Sequence, residues 1–149
     1  MKKFICVLII LCMIVPVATA EDLSSFVAKW NYWNKNYNSV ILSEEIATVD
    51  GESWVFTGDN WRMVFNQSAG QYESIGIYAE DFETLVANSA AMGMMVVGDA
   101  SKFSEFLGYI VRMYFDAKAG NNVIPFMYGL YTYTVSQIAE GYMLTFTRI

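Results

Sequence analysis

The most regular hydrophobic pattern in the chain runs through residues 99–118, where apolar side chains recur at every third or fourth position. This period is that of an amphipathic helix, with charged residues such as Lys102 and Arg112 on its other side. Asp99 is the predicted N-cap, and Gly120 suits the left-handed residue that ends a helix. The apolar stripe consists of Phe103, Phe106, Leu107, Ile110, Val111, Tyr114 and Phe115. A stripe this aromatic requires a large apolar partner.

The same period predicts a first helix over residues 21–38 and a second over residues 81–97. The first ends in asparagines, which tolerate positive φ. The second is rich in small residues, which permit the close approach of a neighbour, and Gly98-Asp99 joins it to the long helix as a tight hairpin. The methionines near its end, interpreted as gap-filling core residues, are Met92, Met94 and Met95.

Between residues 40 and 79 the period changes to two, as in β-strands. Asp50-Gly51 is a strong signal for a two-residue hairpin turn, since both residues tolerate positive φ, and Gly58-Asp59 marks the next turn. Turns centred on these dipeptides pair Ala47 with Trp54 and keep one set of side chains on a single buried face. That set is Ala47, Val49, Trp54, Phe56, Trp61, Met63 and Phe65.

A loop that ends at Gly70 leads into a fourth predicted strand over residues 72–79. A three-residue loop with Gly70 left-handed places Ile75 and Ile77 on the buried face. A four-residue loop would instead bury the alternate residues, such as Tyr72. We favour the shorter loop.

Two more strands are predicted over residues 123–135 and 142–148. The first is apolar on both faces, so either it is covered on both sides or Gly129 marks a bulge that changes the inward face. Pro125 near its start is typical of an edge or of strand entry. The predicted order is α-ββββ-αα-ββ, an α+β domain with a single antiparallel sheet of about six strands packed against helices.

Residues 1–20 have the layout of a secretory signal, with two lysines, an apolar run over residues 4–15 and small residues at 18–20. Twelve helical residues reach about 18 Å, short of the roughly 30 Å hydrocarbon core of a membrane. We therefore predict a cleavable signal peptide and no membrane association afterwards. The remainder, residues 21–149, is predicted to be a single domain, secreted or periplasmic.

Composition excludes several chemistries. The chain has no histidine, and both cysteines, Cys6 and Cys12, leave with the signal peptide. The mature chain therefore has no Ser–His–Asp or Cys–His catalytic site, no histidine-ligated metal and no thiol redox centre. No glycine-rich nucleotide loop is present, so we expect neither a cofactor nor a metal.

Charge argues against one class of partner. Removing Lys2 and Lys3 from the 9 basic residues leaves 7 against 15 acidic ones, a formal charge of −8 for the mature chain. We therefore expect no nucleic-acid partner, because phosphate backbones require clustered lysine and arginine.

Carboxylate chemistry remains. Glu44 and Glu45 are adjacent in a predicted strand, so their side chains point to opposite faces. Asp50 is part of the predicted hairpin turn. Glu73 is expected to form a surface ion pair with Arg62. The acidic side chains considered for a glycosidase pair or a calcium site are Glu44, Glu45, Asp50, Glu52, Asp59 and Glu73. We expect no catalytic pair, and a carboxylate-dependent glycan hydrolase is kept only as an alternative.

The leading functional hypothesis rests on Met127, Tyr128, Tyr131 and Tyr133, which would form an aromatic patch if the first helix leaves that strand face uncovered. The chain would then be an exported, non-catalytic module that binds a protein or peptide partner, or a second copy of itself, through this patch. An alternative is a carrier that holds a small apolar ligand between the long helix and the sheet.

Overall fold

The structure, a computed structural model, describes residues 22–97, 100–139 and 141–149. The predicted signal peptide and the predicted N-cap Asp99 lie outside the described residues. The helices are α1 (Leu23–Tyr37), α2 (Phe82–Val97) and α3 (Phe103–Lys118), with short 3-10 turns at Glu44–Ile46 and Ala100–Lys102.

One antiparallel sheet of seven strands is formed by the described residues, in the spatial order β1-β2-β3-β4-β7-β6-β5. The strands are β1 (Ala47–Asp50), β2 (Ser53–Thr57), β3 (Trp61–Ser68), β4 (Gln71–Ala79), β5 (Phe126–Tyr128), β6 (Tyr131–Ile138) and β7 (Gly141–Arg148). The predicted α+β class and the single antiparallel sheet are confirmed.

The additional strand arises because the segment predicted as one strand over residues 123–135 is a hairpin. Gly129 has φ +59°, and Tyr128 pairs directly with Tyr131 across a two-residue turn. A glycine adopts this left-handed conformation without steric cost. The turn explains the two-sided apolar pattern, because it brings Phe126 and Tyr133 onto the same face of the sheet as register partners.

The first hairpin differs from its predicted register by two residues. Its turn is Gly51-Glu52, with Gly51 at φ +59°, and Ala47 pairs with Phe56 in place of the predicted Trp54. A shift by two leaves every side chain on its predicted face, because strand side chains alternate with period two. Val49 pairs with Trp54 yet is 54% exposed, so the β1 edge adds little to the core.

The second hairpin is shifted in the same way. Phe56 pairs with Met63 in place of the predicted Trp61. The turn is longer than Gly58-Asp59, since the Gly58 N–H donates to the Trp61 carbonyl at 3.0 Å. Phe56 and Met63 are nevertheless fully buried on the predicted face.

In the third hairpin, formed by β3 and β4, the predicted inward face of β4 is confirmed, but the loop differs from the predicted one. Ile75 and Ile77 are fully buried, but the turn is the two-residue Ala69-Gly70, both with positive φ. The register shifts beyond Asn66, where Glu73 is the extra residue of a bulge on β4. This bulge restores the alternation and also brings Tyr72, which pairs with Gln67, onto the helix-covered side.

Helices α1 and α2 begin with carboxylate caps. Asp22 accepts a hydrogen bond from the Ser25 N–H at 2.7 Å, and Asp81 accepts one from the Thr84 N–H at the same distance. This backbone hydrogen bond lowers the pKa of Asp81. Asn38, with φ 53°, caps the C-terminus of α1, as the asparagines in this region predicted.

The buried face of helix α3 is rotated about the helix axis relative to the predicted apolar stripe. Its buried line includes Met113 and Ala117, whereas Phe115 is exposed. Gly120 has φ +71° after the last turn, which confirms the predicted stop. The inward residues fit the sheet closely, and the ring of Phe106 lies 5.2 Å from that of Tyr133.

The small residues of α2 allow the predicted close approach. A Cβ placed on Gly93 would clash with a ring carbon of Phe106, so the Phe106 ring packs directly on the α2 backbone. Phe106 is fully buried and connects α2, α3 and the sheet in one core.

Side chains of α1 hold the segment of residues 38–42 in place through hydrogen bonds. The Trp30 indole N–H donates to the Val40 carbonyl at 2.7 Å. Asn31 both donates to the Leu42 carbonyl at 2.7 Å and accepts from the Leu42 N–H at 3.0 Å, and Asn34 donates to the Ser39 carbonyl.

Candidate binding groove

The residues predicted to form an aromatic patch do not share one exposed face. Tyr133 is fully buried against Phe106, while Tyr128 and Tyr131 are half-buried on the same helix-covered side. Met127 lies on the opposite face and is 65% exposed. The expected placement was wrong because the turn at Gly129 reverses the chain between Tyr128 and Tyr131.

Tyr131 instead lines a groove at the end of the sheet where β4 and β6 begin. Side chains from α1, α2, β4 and β6 converge on it, and its volume is about 360 Å³. We call it the Met–Tyr groove; its lining residues are Phe26, Lys29, Trp33, Tyr72, Met92, Met94, Met95 and Tyr131.

Methionines form one wall of the Met–Tyr groove. Met92 and Met94 are buried and Met95 is half-buried, so the last two turns of α2 present thioethers to both the core and the groove. Unbranched methionine side chains adapt to irregular apolar shapes and make favourable contacts with aromatic rings. This wall can therefore reshape around an apolar group at low cost.

Aromatic rings form the rest of the groove. Phe26 is fully buried and its ring lies 6.2 Å from that of Tyr72 and 4.7 Å from that of Phe65. Trp33 is half-buried two turns further along α1. The floor is therefore anchored in the core, while the upper rim remains accessible.

The polar atoms at the β-strand side of the groove are paired. The Tyr131 hydroxyl donates to the Tyr72 carbonyl at 3.2 Å. Beside it, Arg148 and Glu73 form an ion pair at 3.6 Å, in place of the predicted pair between Glu73 and Arg62. Burial raises the pKa of Tyr131, with Glu73 adding to this shift and Arg148 opposing it, so the phenol is neutral at ordinary pH.

A second, polar pocket of about 500 Å³ lies at the other end of the α1–α2 pair. Asp81, Glu83 and Thr84 from the start of α2 face Tyr37 and Asn38 at the end of α1 there. A shallower depression of about 520 Å³ lies on the open face of the sheet, with Trp61, Tyr78 and Met143 among its lining residues.

The carboxylates considered for catalysis are spread over the surface. Glu44, Glu45, Asp50, Glu52 and Asp59 are exposed. Within the residues that the structure describes, no group of three or more His, Cys, Asp or Glu side chains is placed to hold a metal ion. In the same residues, no helix combines the length and apolarity that a membrane crossing needs.

No protein-family model, curated protein or solved structure matches this chain.

Sequence reasoning identified one residue of the Met–Tyr groove, Tyr131, and overlooked its neighbours as a site. The interpretation of Met92, Met94 and Met95 as core filling describes part of their packing but not the accessible wall that they form. Three methionines within four positions near a helix end were the available signal.

Proposed function

We propose that this chain is an exported, non-catalytic binding module that holds an exposed apolar segment of a partner protein or peptide in the Met–Tyr groove. The observation that carries this proposal is the convergence of methionine and aromatic side chains from four elements on one accessible groove of about 360 Å³. Sites of this kind are concave and mostly apolar, with a few polar groups that fix orientation.

Physical chemistry favours an apolar side chain as the anchor of the partner. Full burial of a leucine, methionine or phenylalanine side chain contributes about 1.5–3 kcal/mol. Methionine-rich surfaces accept partners of differing sequence because they repack around each one. The Tyr131 hydroxyl is already bonded to the Tyr72 carbonyl, so its ring offers a surface to the partner without an unpaired polar atom.

Export is supported by the pattern of residues 1–20, a charged start followed by an apolar run and small residues. Expression in a secretion-competent host should yield a protein whose intact mass corresponds to residues 21–149. Retention of the leader in the exported fraction would contradict this part of the proposal.

A second candidate function, the carriage of a small apolar ligand, is favoured by the position of the same groove between α1 and the sheet. The interface between α3 and the sheet, where a ligand was expected, is filled by the buried side chains of Phe106 and Ile110. The volume of the Met–Tyr groove lies within the range of about 300–1,000 Å³ found for small-molecule sites.

The test of the leading proposal is selection of phage-displayed peptides on the purified protein, followed by calorimetric titration of the enriched peptide. We expect enriched peptides to share a large apolar anchor. Met95→Gln, which puts an amide into the groove wall, should weaken binding by about tenfold or more, because the buried amide lacks a partner.

The matched control is Met143→Gln, a half-buried methionine on the open face of the sheet. It should leave peptide affinity unchanged, and equal loss in the two variants would contradict the groove as the site. Native mass spectrometry of the purified protein separates the second candidate, since a co-purifying lipid-like molecule displaced in Met95→Gln would favour carriage.

A further inference from the structure

The outer strand β5 leaves one edge of the sheet unpaired. The spatial order of the strands ends at β5, and within the described residues no strand lies on its other side. An edge strand presents a row of backbone N–H and C=O groups to which another strand can bind. The opposite edge, β1, is unpaired in the same way.

The register of the β5–β6 hairpin shows which backbone groups face outward. Residues that flank a two-residue turn exchange both hydrogen bonds, so Tyr128 and Tyr131 form a hydrogen-bonded pair. Because such pairs alternate along an antiparallel ladder, the N–H and C=O of Met127 point away from β6. They lie at the centre of the free edge.

Apolar side chains surround these backbone groups. Met127 is 65% exposed, and the flanking residues Ile124 and Leu130 are 72% and 63% exposed. Natural edges are protected by short strand length, by proline or by charged side chains, particularly lysine. The short β5 strand follows Pro125 but lacks the charged side chains. Residues 119–139, which include the whole β5–β6 hairpin, contain no charged residue.

The β1 edge has the opposite character. Residues 36–61 around it contain five acidic residues, at positions 44, 45, 50, 52 and 59, and no basic one. The chain as a whole has a formal charge of −6. Acidic edges repel one another, so two copies of this chain can approach at the β5 edge with a smaller electrostatic penalty than at the β1 edge.

We propose that a second copy of this chain pairs with the β5 edge, antiparallel, with the two-fold axis passing beside Met127. The Met127 N–H of each copy donates to the Met127 carbonyl of the other, and the two methionine side chains pack together on the open face. The pairing is isologous, so it closes at a dimer.

Charge separation favours this arrangement. With strands about 4.8 Å apart, six spacings place β1 about 29 Å from β5. A dimer joined at β5 therefore keeps its acidic edges many times the Debye length of about 8 Å apart. Because β5 has only three residues, the interface is small and the dimer should dissociate readily.

Sedimentation velocity of the purified protein over about a hundredfold range of concentration tests the proposal, since dimer formation follows mass action. We expect a reversible monomer–dimer equilibrium. Met127→Lys brings two cations together at the two-fold axis and should raise the dissociation constant by about tenfold or more. Circular dichroism checks that the variant is folded.

The matched control is Val49→Lys on the β1 edge. Val49 is also exposed, and its backbone N–H and C=O also point outward, because Asp50 and Ser53 flank the Gly51-Glu52 turn. The Val49→Lys variant should leave the monomer–dimer equilibrium unchanged. A wild-type monomer at every concentration, equal effects of the two lysines, or growth beyond dimers through β1–β5 contacts would each overturn the proposal.

Peptide binding at the Met–Tyr groove should survive in Met127→Lys. If the wild type is monomeric at every concentration yet binds the enriched peptide, only the dimer proposal fails. If the wild type dimerises but binds no peptide at the groove, only the proposed function fails.

Discussion

The two ends of the α1–α2 pair are held together by different forces. At the polar end, Val40 connects the helices, because its carbonyl accepts from the Trp30 indole and its N–H donates to the Asn88 carboxamide oxygen at 3.0 Å. At the groove end, the side chains of Met92 and Met95 pack among aromatic rings. Hydrogen bonds are directional and fix a distance, whereas methionine packing adapts.

This difference favours the Met–Tyr groove over the polar pocket as the proposed binding site. The hydrogen bonds at the polar end connect the two helices, so the proposed binding of a partner at the groove end would leave that connection in place. In the polar pocket, by contrast, an apolar group would lie against the carboxylates of Asp81 and Glu83, and each buried polar group left unpaired costs about 1–3 kcal/mol.

The largest expected effect is a difference in stability between variants of the two tryptophans of α1. Trp30 is fully buried and bonded to Val40 at the polar end, so Trp30→Ala should lower the free energy of unfolding by about 3–5 kcal/mol. Trp33 is half-buried in the groove wall, and Trp33→Ala should cost clearly less while it weakens peptide binding. Urea unfolding measures the stability of both variants. Equal losses of stability in Trp30→Ala and Trp33→Ala would contradict the proposed difference between the two ends of the α1–α2 pair.

A smaller effect is expected for the asparagine that holds the segment of residues 38–42. Asn31→Ala removes both hydrogen bonds to the Leu42 backbone and should cost about 1–3 kcal/mol, because that backbone is partly buried. Asn36 is an exposed residue of the same helix, and Asn36→Ala should change stability by less than about 0.5 kcal/mol. A negligible effect of Asn31→Ala would show that the polar end does not depend on these bonds.

The smallest effect concerns ionisation near the groove. Burial raises the pKa of both Tyr131 and Tyr133 above the ordinary value of 10.0. In the unfolded chain the phenols ionise near pH 10, so their contribution to stability is complete below that pH and is lost as the pH rises through the folded pKa.

Urea unfolding at several pH values between about 8 and 11 measures this loss. Tyr133→Phe should flatten the alkaline decline more than Tyr131→Phe, because Tyr133 is fully buried and Tyr131 only half-buried. An identical decline in the wild type and both variants would contradict the assigned burial.

Much of the fold was predictable because it depends on local periodicity. The stripe of α3 and the alternation of β2 and β3 are properties of adjacent residues, and a register error of two residues left Phe56 and Met63 on the correct face. The hairpin at Gly129 was missed because the strands on either side of it are both apolar, so no polar turn sequence separates them.

The candidate site was harder to predict because it depends on contacts between distant residues. Phe26, Tyr72, Met95 and Tyr131 come from four elements, and nothing in their spacing shows that they meet. The hydrogen bonds of Asn31 have the same character, since their geometry depends on the path of the segment of residues 38–42. Sequence spacing reports which face a residue occupies and not what lies opposite it.

The most direct test of the Met–Tyr groove is a methyl NMR titration of methionine-labelled protein with the peptide enriched by selection. We expect the methyl signals of Met92, Met94 and Met95 to shift in a saturable manner, while those of Met63 in the core and Met143 on the open face remain in place. Shifts centred on Met143, with the three α2 methionines unchanged, would contradict the account.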